Sequence, residues 1–217
     1  MKFDSFVAID WSGDKLDFQK GISIAHCEHG SKSPKIVKPK NKYWSRSNLV
    51  DWIIKQIEKQ KTLIGFDFSF SYPFHDFHSY FPGVKDCPIN PRALWKLIDN
   101  VNKNKKNFYG GGIWDNKPFC YFYNAPNFRG NLYKSRRRIT EIVAKNTLHS
   151  PSPTFNCVGP GAVGTGTLAG MRVLNFLQNK AKIWPFNVQK KLNSSVVVEI
   201  FPTCLLYTSD AADDVRG

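Results

Sequence analysis

Three short apolar runs along the chain each end on an acidic residue. The runs and their acids are residues 6–9 before Asp10, 63–66 before Asp67 and 196–198 before Glu199. Continuous β-branched and aromatic runs of this length are typical of strands that are buried on both faces, in the middle of a sheet flanked by helices. The pattern therefore predicts central strands whose last residues carry carboxylates.

Hydrophobic periodicity predicts the elements around these runs. We expect strands at residues 4–10, 18–27, 35–38, 62–68 and 195–201. We expect helices at residues 47–59, 91–101, 134–145 and 167–179, the first of them capped by Ser47. The stretches 107–131 and 150–166 are expected to be irregular because they are rich in Gly, Pro or aromatic residues. This order predicts an α/β fold with a mixed sheet, an antiparallel meander followed by parallel strands, flanked by helices.

A carboxylate at the end of a buried strand needs a compensating partner, because removing water from it costs several kcal/mol. Converging acids would raise each other's pKa values unless a cation neutralised them. Mg²⁺ or Mn²⁺ suits such a set of hard oxygen ligands. A simpler alternative exists for Asp10, which precedes the turn-forming residues 11–14 and could accept backbone hydrogen bonds there.

Length and composition favour one globular domain. The chain has 217 residues, of which 41% are hydrophobic, and this is enough for one good core. No apolar stretch approaches membrane-spanning length, and the N-terminus lacks a signal-peptide pattern. The five cysteines include no C-x-x-C pair, so neither a zinc site nor a disulfide framework is indicated. A cytoplasmic protein with no membrane partner is therefore expected.

The net charge of +14 favours a polyanionic partner such as nucleic acid. Much of that charge is lysine, as in residues 102–107, and a Lys/Asn-rich composition can also follow from an AT-rich coding sequence. The arginines are more selective evidence, since Arg129, Arg136, Arg137 and Arg138 fall close together amid aromatic residues. Basic and aromatic side chains together bind phosphates and stack on bases. The same composition is equally typical of a solvated basic helix face that packs over an aromatic core.

A Gly-rich stretch precedes the last predicted helix. Its end, Gly164-Thr165-Gly166-Thr167, is a candidate phosphate site because backbone N–H groups at a loop-to-helix junction can bind phosphate. A plain flexible connector explains the same composition. The stretch is not a Walker A loop, since threonine stands where the lysine should follow the last glycine.

Residues 204–217 resemble a translated sequencing adapter, beginning with Cys204-Leu205-Leu206-Tyr207. We expect this segment to be an artefact and exclude it from the reasoning about the fold. On this interpretation the natural sequence stops near Thr203 and the domain is truncated at its C-terminus.

The three acidic motifs resemble those of a family of predicted nucleases in the ribonuclease H-like (RNase H-like) superfamily. In that family the first strand ends in Asp, the middle strand ends in Asp before Pro, and a late strand carries Glu before Pro. Asp10, Asp67 and Glu199 match these positions. The resemblance covers most of residues 4–203. It implies one RNase H-like domain at 1–203, with a helical and irregular insertion at about 74–150.

The resemblance also implies a catalytic metal site. Asp10 would bridge two Mg²⁺ or Mn²⁺ ions about 4 Å apart, and Asp67 and Glu199 would complete their ligands. Related enzymes carry a fourth acid on a helix after the last strand. In this chain the adapter-like segment stands where that helix would follow. Glu141, with Arg138 one turn before it, and Asp14 are candidate substitutes. For Arg138 and Glu141 the simpler alternative is an ordinary pair on a helix face.

Phosphodiester hydrolysis of DNA or RNA is therefore the function that the sequence favours. Two alternatives stay open because the superfamily includes actin-like ATPases and inactive members. One is a nucleotide-binding phosphotransferase that uses the same acids and the Gly-rich loop. The other is a non-catalytic nucleic-acid-binding protein.

Overall fold

The structure of the chain is a computed structural model that describes residues 2–30, 33–145, 151–187 and 194–201. Its centre is one six-stranded sheet. The strands of this sheet are β1 (Ser5–Asp10), β2 (Ser23–Glu28), β3 (Lys35–Ile36), β4 (Thr62–Phe66), β7 (Lys182–Ile183) and β8 (Val196–Glu199). A separate two-stranded hairpin consists of β5 (Asn124–Ala125) and β6 (Phe128–Arg129).

The sheet is mixed, and its strand order is β3-β2-β1-β4-β8-β7. β1, β2 and β3 form an antiparallel meander. β1 pairs in parallel with β4, β4 with β8, and β8 with β7. The predicted α/β fold with an antiparallel meander and parallel strands is thereby confirmed. Because β1, β4 and β8 run in the same direction, their C-terminal ends lie at one edge of the sheet.

Four α-helices and two short 3₁₀ helices accompany the sheet in the described residues. The α-helices are α1 (Arg46–Lys59), α2 (Pro91–Val101), α3 (Ile139–Lys145) and α4 (Gly164–Leu177). The 3₁₀ helices are Gly111–Asp115 and Phe119–Phe122. The expected start of α2 at residue 91 is confirmed, and Asn90 caps this helix, whereas α1 is capped by Ser45 rather than Ser47. The hydroxyl of Ser45 accepts the N–H of Asn48 at 3.1 Å.

Three predicted starts of elements differ from the structure by three residues or more. β2 begins at Ser23 rather than residue 18, because Gln19 forms an isolated bridge with Trp44. α3 begins at Ile139 rather than residue 134, because the preceding segment contains Arg136, whose side chain is buried in the protein. α4 begins at Gly164, inside the stretch expected to be a loop. The two-residue strand β7 was not predicted, since it is too short to show a pattern.

One continuous hydrophobic core joins the sheet to its helices. Ile9, Phe66 and Val197, one from each central strand, are fully buried. Leu49 and Leu174 represent the buried faces of α1 and α4 in the same core. Burying each such side chain contributes about 1.5–3 kcal/mol, and this fixes the strand register that places the acids.

Some sequence-based expectations concern residues outside this description. Residues 204–217, the expected artefact, lie beyond it, as does the end of the proposed insertion at 146–150. The four cysteines that are described are all free. None of the described helices has the length and apolar character that crossing a bilayer requires.

Candidate functional site

Asp10 and Asp67 lie next to each other at the C-terminal edge of the central strands. Ile9 is the register partner of Phe66, and the N–H of Asp67 donates to the carbonyl of Ile9 at 3.0 Å. Each aspartate directly follows one of these paired residues. Because neighbouring strands are about 4.8 Å apart, the two carboxyl groups extend from adjacent backbone positions.

The pair carries uncompensated negative charge. Burial, together with the charges of Asp10 and Glu199, raises the pKa of Asp67 to about 6. Burial also raises the pKa of Asp10, against a hydrogen bond from the backbone of Trp11 that lowers it. Within the described part of the chain, no basic side chain forms an ion pair with either aspartate. Such a pair attracts a cation.

Glu199, at the end of β8, is bound by Arg138. Its two oxygens accept Nη1 and Nη2 of Arg138 at 2.7 and 2.6 Å, a bidentate pair. The N–H of Phe70 donates to the same carboxylate at 2.9 Å. Three of the roughly four acceptor positions of Glu199 are therefore occupied. The charge of Glu199 still raises the pKa of Asp67, but Glu199 has little remaining capacity to bind a metal.

Arg138 connects Glu199 to a second, buried glutamate. Its Nε donates to Glu141 at 2.7 Å, its backbone N–H donates to the other Glu141 oxygen at 2.9 Å, and its Nη2 reaches the Ser69 hydroxyl at 3.1 Å. Burial alone would lower the pKa of Arg138, but its bonds and charge interactions with both glutamates raise it overall. Glu141 is only 3% exposed. The pair is thus an internal ion network rather than a solvated helix face.

Asp14 belongs to a turn. It is exposed, and its Oδ1 accepts the N–H of Leu16 at 2.8 Å in the connection between β1 and β2. Its charge is not among those that raise the pKa of Asp67. The geometry gives Asp14 a local structural role.

The first turn of α4 packs against the loop that follows Asp10. A Cβ atom on Gly13 would overlap the backbone of Thr165 and Gly166, so only glycine permits this approach. The indole N–H of Trp11 donates to the carbonyl of Gly166 at 2.9 Å. The Gly-rich candidate segment, Gly164 to Thr167, therefore lies beside the Asp10 loop. Within it, the N–H of Gly164 is already bonded to Asn156.

Two residues that the sequence reasoning missed hold the same loop from another side. Arg46 is fully buried and donates to the carbonyls of Ser12 at 2.9 Å and Asn107 at 2.7 Å. Burial lowers the pKa of Arg46 to about 10. The Asn107 side chain accepts the Ser47 N–H and donates to the Asp17 carbonyl, at a φ of 50°. No sequence motif identifies either residue, because their hydrogen-bond partners are distant in the sequence.

The predicted cluster of arginines divides into different environments. Arg136 is buried and binds Asp76 through Nε and Nη2 at 2.8 and 2.7 Å. It also donates to the carbonyls of Pro73, Ser79 and Tyr80. Arg129 is exposed over the Tyr133 ring. Arg136 and Arg138 are thus occupied by protein groups, whereas Arg129 remains accessible to a ligand.

Two cavities meet at the Arg138–Glu199 pair. One, of about 440 Å³, is lined by Asp67, Ser69, Glu141 and that pair. The other, of about 500 Å³, shares Arg138 and Glu199 but is otherwise mostly apolar and includes Trp184. The ion pair therefore forms a common wall of the two cavities, and the one that contains Asp67 carries more polar lining.

The donor set determines which metal arrangement fits. Across the described ranges, no group of three or more His, Cys, Asp or Glu side chains is placed to hold a metal ion. Asp10 and Asp67 offer two carboxylates, while Glu199 is bound to Arg138. Mg²⁺ is commonly held by one or two carboxylates together with water and substrate phosphates. The aspartate pair fits that mode of binding.

Comparisons with protein-family models, curated proteins and solved structures found no match to this chain.

Proposed function

We propose that this chain is a divalent-metal-dependent nuclease that hydrolyses phosphodiester bonds. The observation that carries the proposal is the pair of adjacent carboxylates, Asp10 and Asp67, which lack a cationic partner among the described residues and in which the pKa of Asp67 is raised to about 6. Perturbed carboxylates of this kind cluster at functional sites. The RNase H-like resemblance points to the same two residues.

Asp10 and Asp67 would hold Mg²⁺ or Mn²⁺, which supplies Lewis-acid stabilisation of phosphate charge and a water of lowered pKa. The protein contributes a rigid platform, since Asp10 is the last residue of β1 and Asp67 directly follows the adjacent strand β4. Glu199 keeps one acceptor position, toward which a water can be oriented. Arg138 holds Glu199 in place and neutralises part of the charge that four nearby carboxylates bring together.

Nucleic acid is the substrate class that the whole-chain charge favours. The sequence carries a net charge of +14, although its predicted site is acidic. This contrast is typical of enzymes that attract a polyanion at long range and meet its phosphates through a metal ion.

A cleavage assay tests the proposal. End-labelled single- and double-stranded DNA and RNA are incubated with the protein and Mg²⁺, Mn²⁺ or EDTA. We expect metal-dependent cleavage that falls at least about 100-fold in Asp10→Asn. Asp14→Asn is the matched control, because it makes the same chemical change in the exposed turn of the same loop. Absence of cleavage on every substrate, or cleavage that survives Asp10→Asn, would contradict the proposal.

A nucleotide-binding phosphotransferase is the second candidate, favoured by the contact between the Asp10 loop and the first turn of α4. The useful variant is Gly166→Ala. A Cβ at Gly166 meets its nearest neighbour at 3.5 Å, whereas one at Gly164 would overlap Asn156. If the chain is a phosphotransferase, it binds labelled ATP, and Gly166→Ala weakens that binding. If it is a nuclease, neither the wild-type protein nor Gly166→Ala retains ATP above background.

A further inference from the structure

The mostly apolar cavity that includes Trp184 shares the Arg138–Glu199 pair with the cavity of Asp67 and has no role in the proposed hydrolysis. Its volume of about 500 Å³ lies within the range of small-molecule sites. Aromatic side chains of Phe74, Trp184 and Phe201 contribute to its lining. Trp184 is 55% exposed and Phe201 38% exposed. Two large aromatic side chains accessible at one cavity form a surface on which a flat ring can stack.

The position of this cavity connects it to the proposed chemistry. It shares Arg138, Thr140, Glu199 and Phe201 with the cavity that contains Asp67. A ligand with a phosphate near Asp67 therefore has an apolar space directly beyond the ion pair for the group attached to that phosphate.

The polar groups at the cavity suit a heteroaromatic ring better than an aliphatic chain. The lining includes His75, which is exposed, and the Thr140 hydroxyl, also exposed. Arg137 adds a cation whose guanidinium bonds to the carbonyl of Pro151. A nucleobase presents ring faces to aromatic side chains and polar edges to such groups.

We propose that the cavity lined by Phe74, Trp184 and Phe201 binds a nucleobase of the substrate, unstacked from its neighbours. This inference rests on the proposed function, because it takes the phosphate of the same substrate to lie at Asp10 and Asp67. The base belongs either to a nucleic-acid strand or to a free nucleotide, and both sources present the same ring.

The test uses 2-aminopurine, a fluorescent adenine analogue, as the free 5′-monophosphate and inside a single-stranded oligonucleotide. The protein is the full chain, with Ca²⁺ present. We expect fluorescence quenching on binding, weakened about tenfold or more in apparent affinity by Trp184→Ala and largely restored in Trp184→Phe. Phe128→Ala is the control, since that aromatic residue is 39% exposed on the separate hairpin. Unfolding midpoints verify that the variants are folded.

Each outcome is decisive. Quenching of the oligonucleotide that depends on Trp184 supports the inference with a strand as source, and quenching of the monophosphate alone supports it with a free nucleotide. Quenching of neither probe, or quenching that is equal in Trp184→Ala, overturns it. Cleavage without Trp184-dependent quenching keeps the nuclease and removes the base site. Quenching without cleavage keeps the base site and removes the hydrolysis.

Discussion

Replacement of Asp67 by asparagine should stabilise the protein at neutral pH. The pKa of Asp67 rises from its ordinary 3.8 to about 6 in the folded state. At 1.36 kcal/mol per pKa unit, this difference corresponds to about 3 kcal/mol against the ionised form. Because the carboxylate is only partly buried, solvent screening reduces the expected gain to about 1–2 kcal/mol. Asparagine has nearly the same shape and carries no charge.

The sign of the pH dependence follows from proton binding. Between pH 3.8 and about 6 the folded protein binds more protons at Asp67 than the unfolded chain does. The stability of the wild-type protein therefore falls across this window as pH rises, and above it the full penalty is present. Asp67→Asn lacks the penalty at every pH. The gain in unfolding free energy of Asp67→Asn over the wild type should be complete at pH 7.5 and fall to about a third of that value at pH 4.5.

Urea unfolding at pH 7.5 and 4.5 measures both quantities. Asp14→Asn serves as control, with an expected effect within about 0.5 kcal/mol at either pH because that side chain is exposed. If Asp67→Asn is destabilising at pH 7.5, or if its effect is equal at both pH values, the carboxylate has a compensating partner and the reasoning is refuted.

Three further predictions use urea unfolding at pH 7.5. Arg138→Met should destabilise by about 3 kcal/mol, because it leaves the partly buried Glu199 and the buried Glu141 without their cation; a loss below 1 kcal/mol would contradict this. Gly13→Ala should cost about 3 kcal/mol through overlap with the start of α4, whereas Gly21→Ala, with 3.4 Å of clearance, should cost little; equal costs would refute the close approach. Ser45→Ala should cost about 1 kcal/mol by removing the α1 cap, and no loss would place the cap elsewhere.

The central strands were predictable from their continuous apolar runs, but the expectation that all of them are buried on both faces is wrong. β4 is largely buried on both faces, whereas β1 alternates between buried and exposed residues and ends on the exposed Asp10. Continuous apolar runs before Asp10, Asp67 and Glu199 identified β1, β4 and β8, and the parallel pairing then places the ends of these strands at one edge. Two-residue strands such as β7 bury too few side chains to leave a pattern.

The ion network was only half predictable. Arg138 and Glu141 are three residues apart, so their proximity on a helix was expected. The bond from Arg138 to Glu199 spans 61 residues and depends on tertiary packing, which no local spacing encodes. For the same reason the sequence could not show that Glu199 would be occupied while Asp67 stayed without a cation.

Tertiary hydrogen bonds also explain the wrong start of α3. Residues 134–138 have helical composition, but Arg136 is buried with its guanidinium bonded to Asp76 and to three loop carbonyls. Those bonds hold the segment outside the helix. A propensity argument has no access to them.

Binding of Mn²⁺ to the full chain, followed by electron paramagnetic resonance at pH 7.5, tests most directly whether the aspartate pair is a metal site. We expect saturable binding by the wild-type protein and by Asp14→Asn, weakened at least about tenfold in Asp10→Asn and in Asp67→Asn. Equal binding by all four proteins, or no saturable binding by the wild type, would contradict a metal site at Asp10 and Asp67.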